Sequence, residues 1–296
     1  MTPRHVYTIP LPNKPPLHLG TRTLVMGIVN VTPDSFADGG MHFDVDRAVE
    51  AGVRMAADGA DIIDVGGEST RPGADPLPEG EELRRVLPVV ERLAREIRIP
   101  ISIDTYKARI AREALECGAT IINDISGLQY DPDLGRVAAS SGAALILMHT
   151  RGRSSGMYDL AVYEDAAAEV ARELAEAIAR AVRAGVSRDA IIVDPGLGFA
   201  KRAEHSYDVL AGLDTLAALD RPILSGPSRK SFLKAALGER EPSEREWGTA
   251  AAVTASVLLG AHIVRVHGVR EMVDVVRVAD RIRAGAQVNS RAPNRR

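Results

Sequence analysis

Short runs of aliphatic and β-branched residues recur along the chain, each followed by a longer stretch in which apolar residues return every three or four positions. The first pattern is that of strands buried on both faces and the second that of amphipathic helices, so their alternation predicts repeated βα units around a parallel sheet. Eight strands are predicted, at 23–31, 61–65, 99–104, 120–125, 144–148, 190–194, 222–225 and 262–266. Helices are predicted between them, among them 46–57, 79–96, 107–117, 161–184, 244–259 and a last one near 270–283. Eight such units predict an α/β fold of one domain, the (β/α)8 TIM barrel. An open doubly wound sheet would need a Gly-rich turn after its first strand, and no GxGxxG stands there. The proline-rich first twenty residues are expected to form a short flap across the barrel's bottom, so that 1–285 make one barrel domain and 286–296 a disordered tail. The stretch 248–261 (GTAAAVTASVLLGA) has almost no polar face. It is either wedged between neighbouring helices or buried in a subunit interface.

Composition narrows what such a barrel can do. With 296 residues, 45% of them hydrophobic and 26% charged, the chain has the makeup of a globular protein with a buried core. The net charge of −3 and scattered basic residues offer no stripe for nucleic acid, while a small anionic substrate stays compatible. Every apolar stretch is interrupted before it reaches the length of a membrane span, and prolines break the N-terminus where a secretory signal would be continuous. Cys117 is the single cysteine, so no disulfide forms within the chain; it reads as a small apolar residue on the core side of a helix. A cytoplasmic protein is expected.

Polar residues fall at the C-terminal edges of nearly all the predicted strands: Asn30, Asp64, Asp104, Asn123, Asp194, the Ser228–Lys230 group, and Arg265 with His267. In a barrel these edges converge on one mouth, where the active sites of this fold lie. Each residue alone would also suit a helix cap; six or seven together weaken that explanation. The carboxylates of Asp104 and Asp194 and the carboxamide of Asn123 offer paired acceptors and donors to a flat, nitrogen-rich heterocycle. Lys230, otherwise a solvated lysine, adds a cation for a ring oxygen or nitrogen. A second group suits phosphate: Arg71, Arg265 and His267 supply donors, and Asn30 offers a hard oxygen to Mg²⁺, which completes its shell from substrate phosphates and water. Arg265 and His267 share a strand face by the period of two. The loops after the first two strands, VTPDSFADGGMHF and GGESTRPGADPLPEG, are long and rich in Gly and Pro, as loops that close over a substrate are. Phe36, Ser69, Thr70 and Pro72 within them would make an apolar slot with a polar rim.

From about Leu24 to Gly268 the motifs NVTPDSFADGG, DVGGESTRPG, IDTYK, INDISG, LMHTRG, DPGLGFAK, SGPSRKSF and RVHG follow one another as they do in the dihydropteroate synthase family, which the chain closely resembles. The resemblance implies a transferase of folate biosynthesis that joins 6-hydroxymethyl-7,8-dihydropterin pyrophosphate to p-aminobenzoate and releases pyrophosphate. It implies that Asp104, Asn123, Asp194 and Lys230 hold the pterin, and that Asn30, Arg71, Arg265, His267 and Mg²⁺ hold its pyrophosphate. Phe36, Thr70, Pro72 and Ser228, with Lys230, would line the p-aminobenzoate site, which sulfonamides would share; Asp104, Lys230 and Asp38 would act in catalysis. It also implies a homodimer formed through barrel helices. Ala37 departs from the serine of many members. Two other readings stay open: a pterin-dependent methyltransferase has no use for the pyrophosphate group of Arg71, Arg265 and His267, and a non-catalytic pterin binder has no need of Asp104, Asn30 and Lys230 together.

Overall fold

The computed structural model describes residues 4–31, 41–69, 75–153 and 156–291. An antiparallel hairpin, β1 (Tyr7–Leu11) and β2 (Lys14–Leu19), precedes eight parallel strands. These are β3 (Leu24–Asn30), β4 (Ile62–Gly66), β5 (Ile101–Asp104), β6 (Ile121–Asp124), β7 (Ala144–Met148), β8 (Ile191–Asp194), β9 (Leu224–Ser225) and β10 (Ile263–Val266). They pair in the order β8-β7-β6-β5-β4-β3-β10-β9. A parallel bridge between Val193 and Ile223, with the Val193 N–H 2.9 Å from the Pro222 carbonyl, joins β8 to β9 and closes the ring. Every strand anticipated from the hydrophobic runs is present, and the fold is a (β/α)8 barrel.

Around it run α1 (Met41–Ala57), α2 (Glu79–Glu96), α3 (Ala108–Glu116), α4 (Leu134–Ser141), α5 (Ala166–Arg183), α6 (Ala203–Ala211), α7 (Lys234–Leu237), α8 (Glu246–Leu258) and α9 (Val269–Arg291). Three helix boundaries differ from those expected by five residues or more: α1 starts at Met41 rather than 46, and two others have a visible cause. The helix placed at 161–184 starts at Ala166, because the Asp165 carboxylate accepts the Ala168 N–H at 3.0 Å and caps it there. The last helix, expected near 270–283, runs on to Arg291; after Val269 the next proline is Pro293, and Gly285 alone does not end a helix. Helix α8 buries one stripe, Thr249, Ala252, Val253, Ser256 and Val257, and leaves Trp247 85% exposed.

Alternation along the strands builds two separate cores. Residues facing outward, such as Val25, Ile63, Val65, Ile103, Leu145, Leu147 and Val264, pack with the helices. Those facing inward in the lower half, Leu24, Met26, Ile62, Ile121, Ala144, Ile146, Ile192, Leu224 and Ile263, form a second cluster with Ile9, Leu11, Leu17 and Leu19 of the hairpin. The hairpin therefore stoppers the bottom of the barrel. It is tied to the barrel wall where His262 Nε2 lies 3.1 Å from the His5 carbonyl.

Candidate active site

The inward parity that is apolar at the bottom continues to the strand ends, and there it turns polar. Ile62 is followed inward by Asp64, Ser102 by Asp104, Ile121 by Asn123, Ile192 by Asp194, and Ile263 by Arg265. Register places Asn30 beside Gly66, Gly66 beside Asp104 and Asp104 beside Asn123, so β3 to β6 end in one level row. Glycine at 66 keeps the row open, since a Cβ there would stand 3.3 Å from that of Asp104.

Four of these residues make direct contact. Arg265 donates from Nε to Asp64 Oδ2 and from Nη2 to Asp104 Oδ2, each at 2.6 Å. Asn123 Nδ2 donates to the same Asp64 oxygen at 2.9 Å. That fixes the Asn123 amide with its oxygen turned away from Asp64 and available as an acceptor. Asp64 Oδ1 is buried without a partner among the described residues, so it is an acceptor in need of a donor. Burial pushes the Asp104 carboxyl up, to about 7, against the pull of Arg265. A carboxylate so poised carries its charge at modest cost above neutrality and gains when a cation arrives.

The opposite wall comes from β8 and the loop after β9. Asp194 Oδ1 accepts the Gly196 N–H at 2.7 Å, and burial raises its pKa while Lys230 opposes the rise. Lys230 Nζ donates to the Leu197 carbonyl at 2.5 Å and lies 4.6 Å from the centre of the Phe199 ring. Burial lowers the lysine to about 8, with Asp194 pulling the other way. A Cβ on Gly226 would be 4.0 Å from both Asp194 Oδ2 and Lys230 Nζ, so glycine leaves the two groups room beside β9. Arg229 holds a left-handed φ of 59°, fixed by its N–H to Thr249 Oγ1 at 3.0 Å and its Nε to Glu246 at 2.8 Å. This turn aims the next residue, Lys230, across the mouth.

Ser228 and His267 meet: Ser228 Oγ is 2.9 Å from His267 Nδ1 and accepts the His267 N–H at 3.2 Å. Asn30 ends β3, half-buried, at the rim. The structure thus brings together Asp104, Asn123 and Arg265, sets Asp194 with Lys230, and joins Ser228 to His267. Arg265, expected in the phosphate group by its strand face, has its guanidinium between the two inner carboxylates. Phe36, Asp38, Thr70, Arg71 and Pro72, together with Ala37, lie outside the described residues. Among the described residues no group of three His, Cys, Asp or Glu is arranged to hold a metal. A divalent ion at Asn30 would need most of its oxygens from a ligand, which is how Mg²⁺ commonly binds with phosphates.

Residues not assigned a role from sequence also line the mouth. Tyr106, Ile125 and Met148 form a small buried cluster with Tyr130 and Phe199 against it. Met148 continues the inward parity of Ala144 and Ile146, and Phe199 sits in the GFAK run, so both had a sequence signal. Asp64 stood out as a strand-end acid, but its pairing across the barrel with Arg265, 201 positions away, has no local trace.

Residues 26–267 match the family model described as pterin binding enzyme. A dihydropteroate synthase from Synechocystis sp. is 46% identical over 261 residues, covering 88% of this chain and 90% of the relative. The chain belongs to the dihydropteroate synthase family. Two solved structures of that family superpose closely. The Xanthomonas albilineans dihydropteroate synthase with 4-aminobenzoic acid gives a TM-score of 0.84 at 41% identity, over 94% of this chain and 96% of the other. The Yersinia pestis dihydropteroate synthase in complex with a sulfonamide drug gives 0.86 at 40% identity, over 94% and 99%. The barrel is therefore that of dihydropteroate synthases over nearly the whole chain.

Proposed function

We propose that the polar layer at the barrel mouth is the place where this chain carries out its family's reaction. That reaction is the synthesis of dihydropteroate from 6-hydroxymethyl-7,8-dihydropterin pyrophosphate and p-aminobenzoate, in folate biosynthesis. The observation that carries the reading is the inward cluster of Asp64, Asp104, Asn123 and Arg265 facing Asp194 and Lys230, over an apolar plug. A flat pterin has donors and acceptors around its rim. Asp104, Asn123 and Asp194 meet its N–H groups and ring nitrogens, and Lys230 donates to its carbonyl oxygen. Met148, Ile125 and Phe199 give the ring apolar contact.

The reaction is a substitution at the methylene carbon that bears pyrophosphate. The C–O bond breaks with its electron pair leaving on the pyrophosphate, and the pterin delocalises the positive charge left behind. The amine nitrogen of p-aminobenzoate donates its lone pair to form the C–N bond and loses one proton to the released pyrophosphate or to water. Asp104, beneath the ring, stabilises the cation, with Asp38 proposed as a second negative charge. Asn30, Arg71 and His267 hold the pyrophosphate. Arg265, held by Asp64 and Asp104, adds its positive charge at the mouth for the pyrophosphate. Ser228, with Phe36, Thr70 and Pro72, receives p-aminobenzoate, and its contact with His267 sets the incoming amine beside the leaving group. Mg²⁺ fits beside Asn30 as a hard ion and, when bound, neutralises charge on the leaving pyrophosphate. The neutral amine needs positioning more than a strong base.

A homodimer is supported by exposed Trp247 on α8 and exposed Val278 and Ile282 on the neighbouring α9. A cytoplasmic location agrees with a single free cysteine, Cys117. Among the described residues no helix is long and apolar enough to cross a membrane. The testing experiment supplies the pterin pyrophosphate, p-aminobenzoate and Mg²⁺ and follows pyrophosphate release. Release that requires all three, and stops in excess chelator, is expected. Pterin binding with no release would instead indicate an inert binder.

A further inference from the structure

The mouth is backed by a polar chain that the reaction itself does not use. Lys201 is 1% exposed, and among the described residues no carboxylate is within hydrogen-bond distance of its ammonium. Its Nζ lies 2.8 Å from His149 Nδ1, 3.1 Å from the Gly196 carbonyl and 3.0 Å from the Phe199 carbonyl. On the far side of the imidazole, His149 Nε2 is 2.9 Å from Glu173 Oε2. Glu173 and Glu169 both pair with Arg151, whose guanidinium lies 3.9 Å over the Tyr163 ring. The chain ends at a cavity of about 190 Å³ lined by His149, Arg172, Glu173, Glu176 and Arg180.

The loop beside this chain is in an unusual conformation. Gly196, Gly198 and Ala200 have φ of 65°, 78° and 47°, and for alanine this is a strained value. Strain of this kind persists only where the surroundings over-determine the backbone. Here they do. The carbonyls of Gly196 and Phe199 accept from Lys201, that of Leu197 from Lys230, and that of Ala200 from the Tyr163 hydroxyl at 2.9 Å. The same loop caps Asp194 through the Gly196 N–H, carries Phe199, and lays Gly198 along the Lys230 stem.

We propose that Lys201 is a positioning residue for pterin recognition: held by His149 and Glu173, its ammonium fixes the loop from Gly196 to Ala200 that sets Asp194, Phe199 and Lys230 against the ring. Three N–H donors meet three acceptors, which is the requirement of a buried ammonium. The arrangement also fixes the imidazole. Nδ1 accepts from Lys201, so the ring is neutral and Nε2 donates to Glu173. Burial, with Lys201 beside it, lowers His149 to about 4, in keeping with a neutral ring. Burial lowers Lys201 as well, and the Asp194 charge pulls it back. A Cβ on Gly196 would stand 2.0 Å from the His149 carbonyl, so the loop packs directly on the residue that follows β7.

The inference rests on the pterin-binding reading above, and unchanged wild-type turnover and pterin affinity serve as its control. Lys201→Met keeps the stem and removes all three donors. We expect the KM for the pterin pyrophosphate to rise at least about tenfold, kcat to change less than about threefold and the KM for p-aminobenzoate to hold, because ground-state placement of the ring is what is lost. Hydrogen exchange should quicken at amides 196–200 and stay unchanged in the hairpin at 7–19. A role in stability alone would lower the unfolding temperature and leave that KM untouched in the folded protein. Glu173→Gln, at a quarter-exposed position, is the second variant; it should raise the pterin KM about threefold by loosening the imidazole. A folded Lys201→Met enzyme with wild-type pterin KM and loop exchange overturns the proposal. If that variant does not fold, an unchanged pterin KM in Glu173→Gln does so.

Discussion

The two halves of the barrel interior are made by the same strands at the same parity, and they share almost no chemistry. Below, Leu24, Met26, Ile62, Ile121, Ile146, Ile192 and Ile263 close on the hairpin in a buried apolar cluster. Above, one step further along those strands, stand Asp64, Asn123, Asp194 and Arg265, joined by Asp104. Apolar burial stabilises the lower half at about 25 cal/mol per Å² removed from water, without direction. The upper half brings buried charges whose desolvation is met only by exact partners. The lower layer can therefore serve as scaffold, while the upper layer leaves an acceptor, Asp64 Oδ1, for a ligand to meet.

The largest effect is expected where the upper layer's charges depend on one another. Arg265→Met leaves Asp64, with its side chain fully buried, and Asp104 without their cation. Breaking such a pair costs about 3–5 kcal/mol, read as a lowered denaturant midpoint, and should abolish measurable pterin binding. An unchanged midpoint would mean that the two carboxylates are not held as a charged set. In the lower layer, Leu19→Ala removes a fully buried side chain and should cost about 2–5 kcal/mol, while the kcat/KM of the folded protein stays at the wild-type value. Lost activity at full folding would show that plug and mouth are not separable.

A smaller effect is expected from pH. Burial raises Asp104 to about 7, so in the folded protein it binds a proton more tightly than in the unfolded chain. Its contribution to stability is therefore greatest at acid pH and declines as pH rises from the ordinary carboxylate range toward 7. The role proposed for Asp104 needs the charged form, so kcat/KM should climb through that same region. The two trends have opposite signs, and Asp104→Asn should flatten both relative to wild type. A pH profile of kcat/KM that keeps its acid limb in Asp104→Asn would assign that limb to another group.

How far the two halves could be read from sequence follows the same division. The scaffold was legible because strands buried on both faces leave continuous runs such as Ala144–Met148, which the structure reproduces end for end. The strand-end acids and amides were legible by position. What they touch was not: Arg265 meets Asp64 and Asp104 across the barrel, and Lys201 meets His149 from 52 positions away. Contacts of that kind depend on closure of the ring, and no local pattern encodes them. Helix ends failed for a simpler reason. Asp165 is a capping residue inside a stretch otherwise apolar enough to read as helix from 161, and nothing between Val269 and Pro293 was strong enough to stop α9 early.

If charge in the upper layer does the chemistry while the lower layer holds the shape, the two layers answer differently to substitution. That difference is tested most directly by the turnover of Asp104→Asn and Leu17→Ala at saturating pterin pyrophosphate, p-aminobenzoate and Mg²⁺, at a temperature where both are folded. We expect a kcat for Asp104→Asn lower by about 10²-fold or more, with pterin affinity reduced far less, and a wild-type kcat for Leu17→Ala. A wild-type kcat in Asp104→Asn would contradict it.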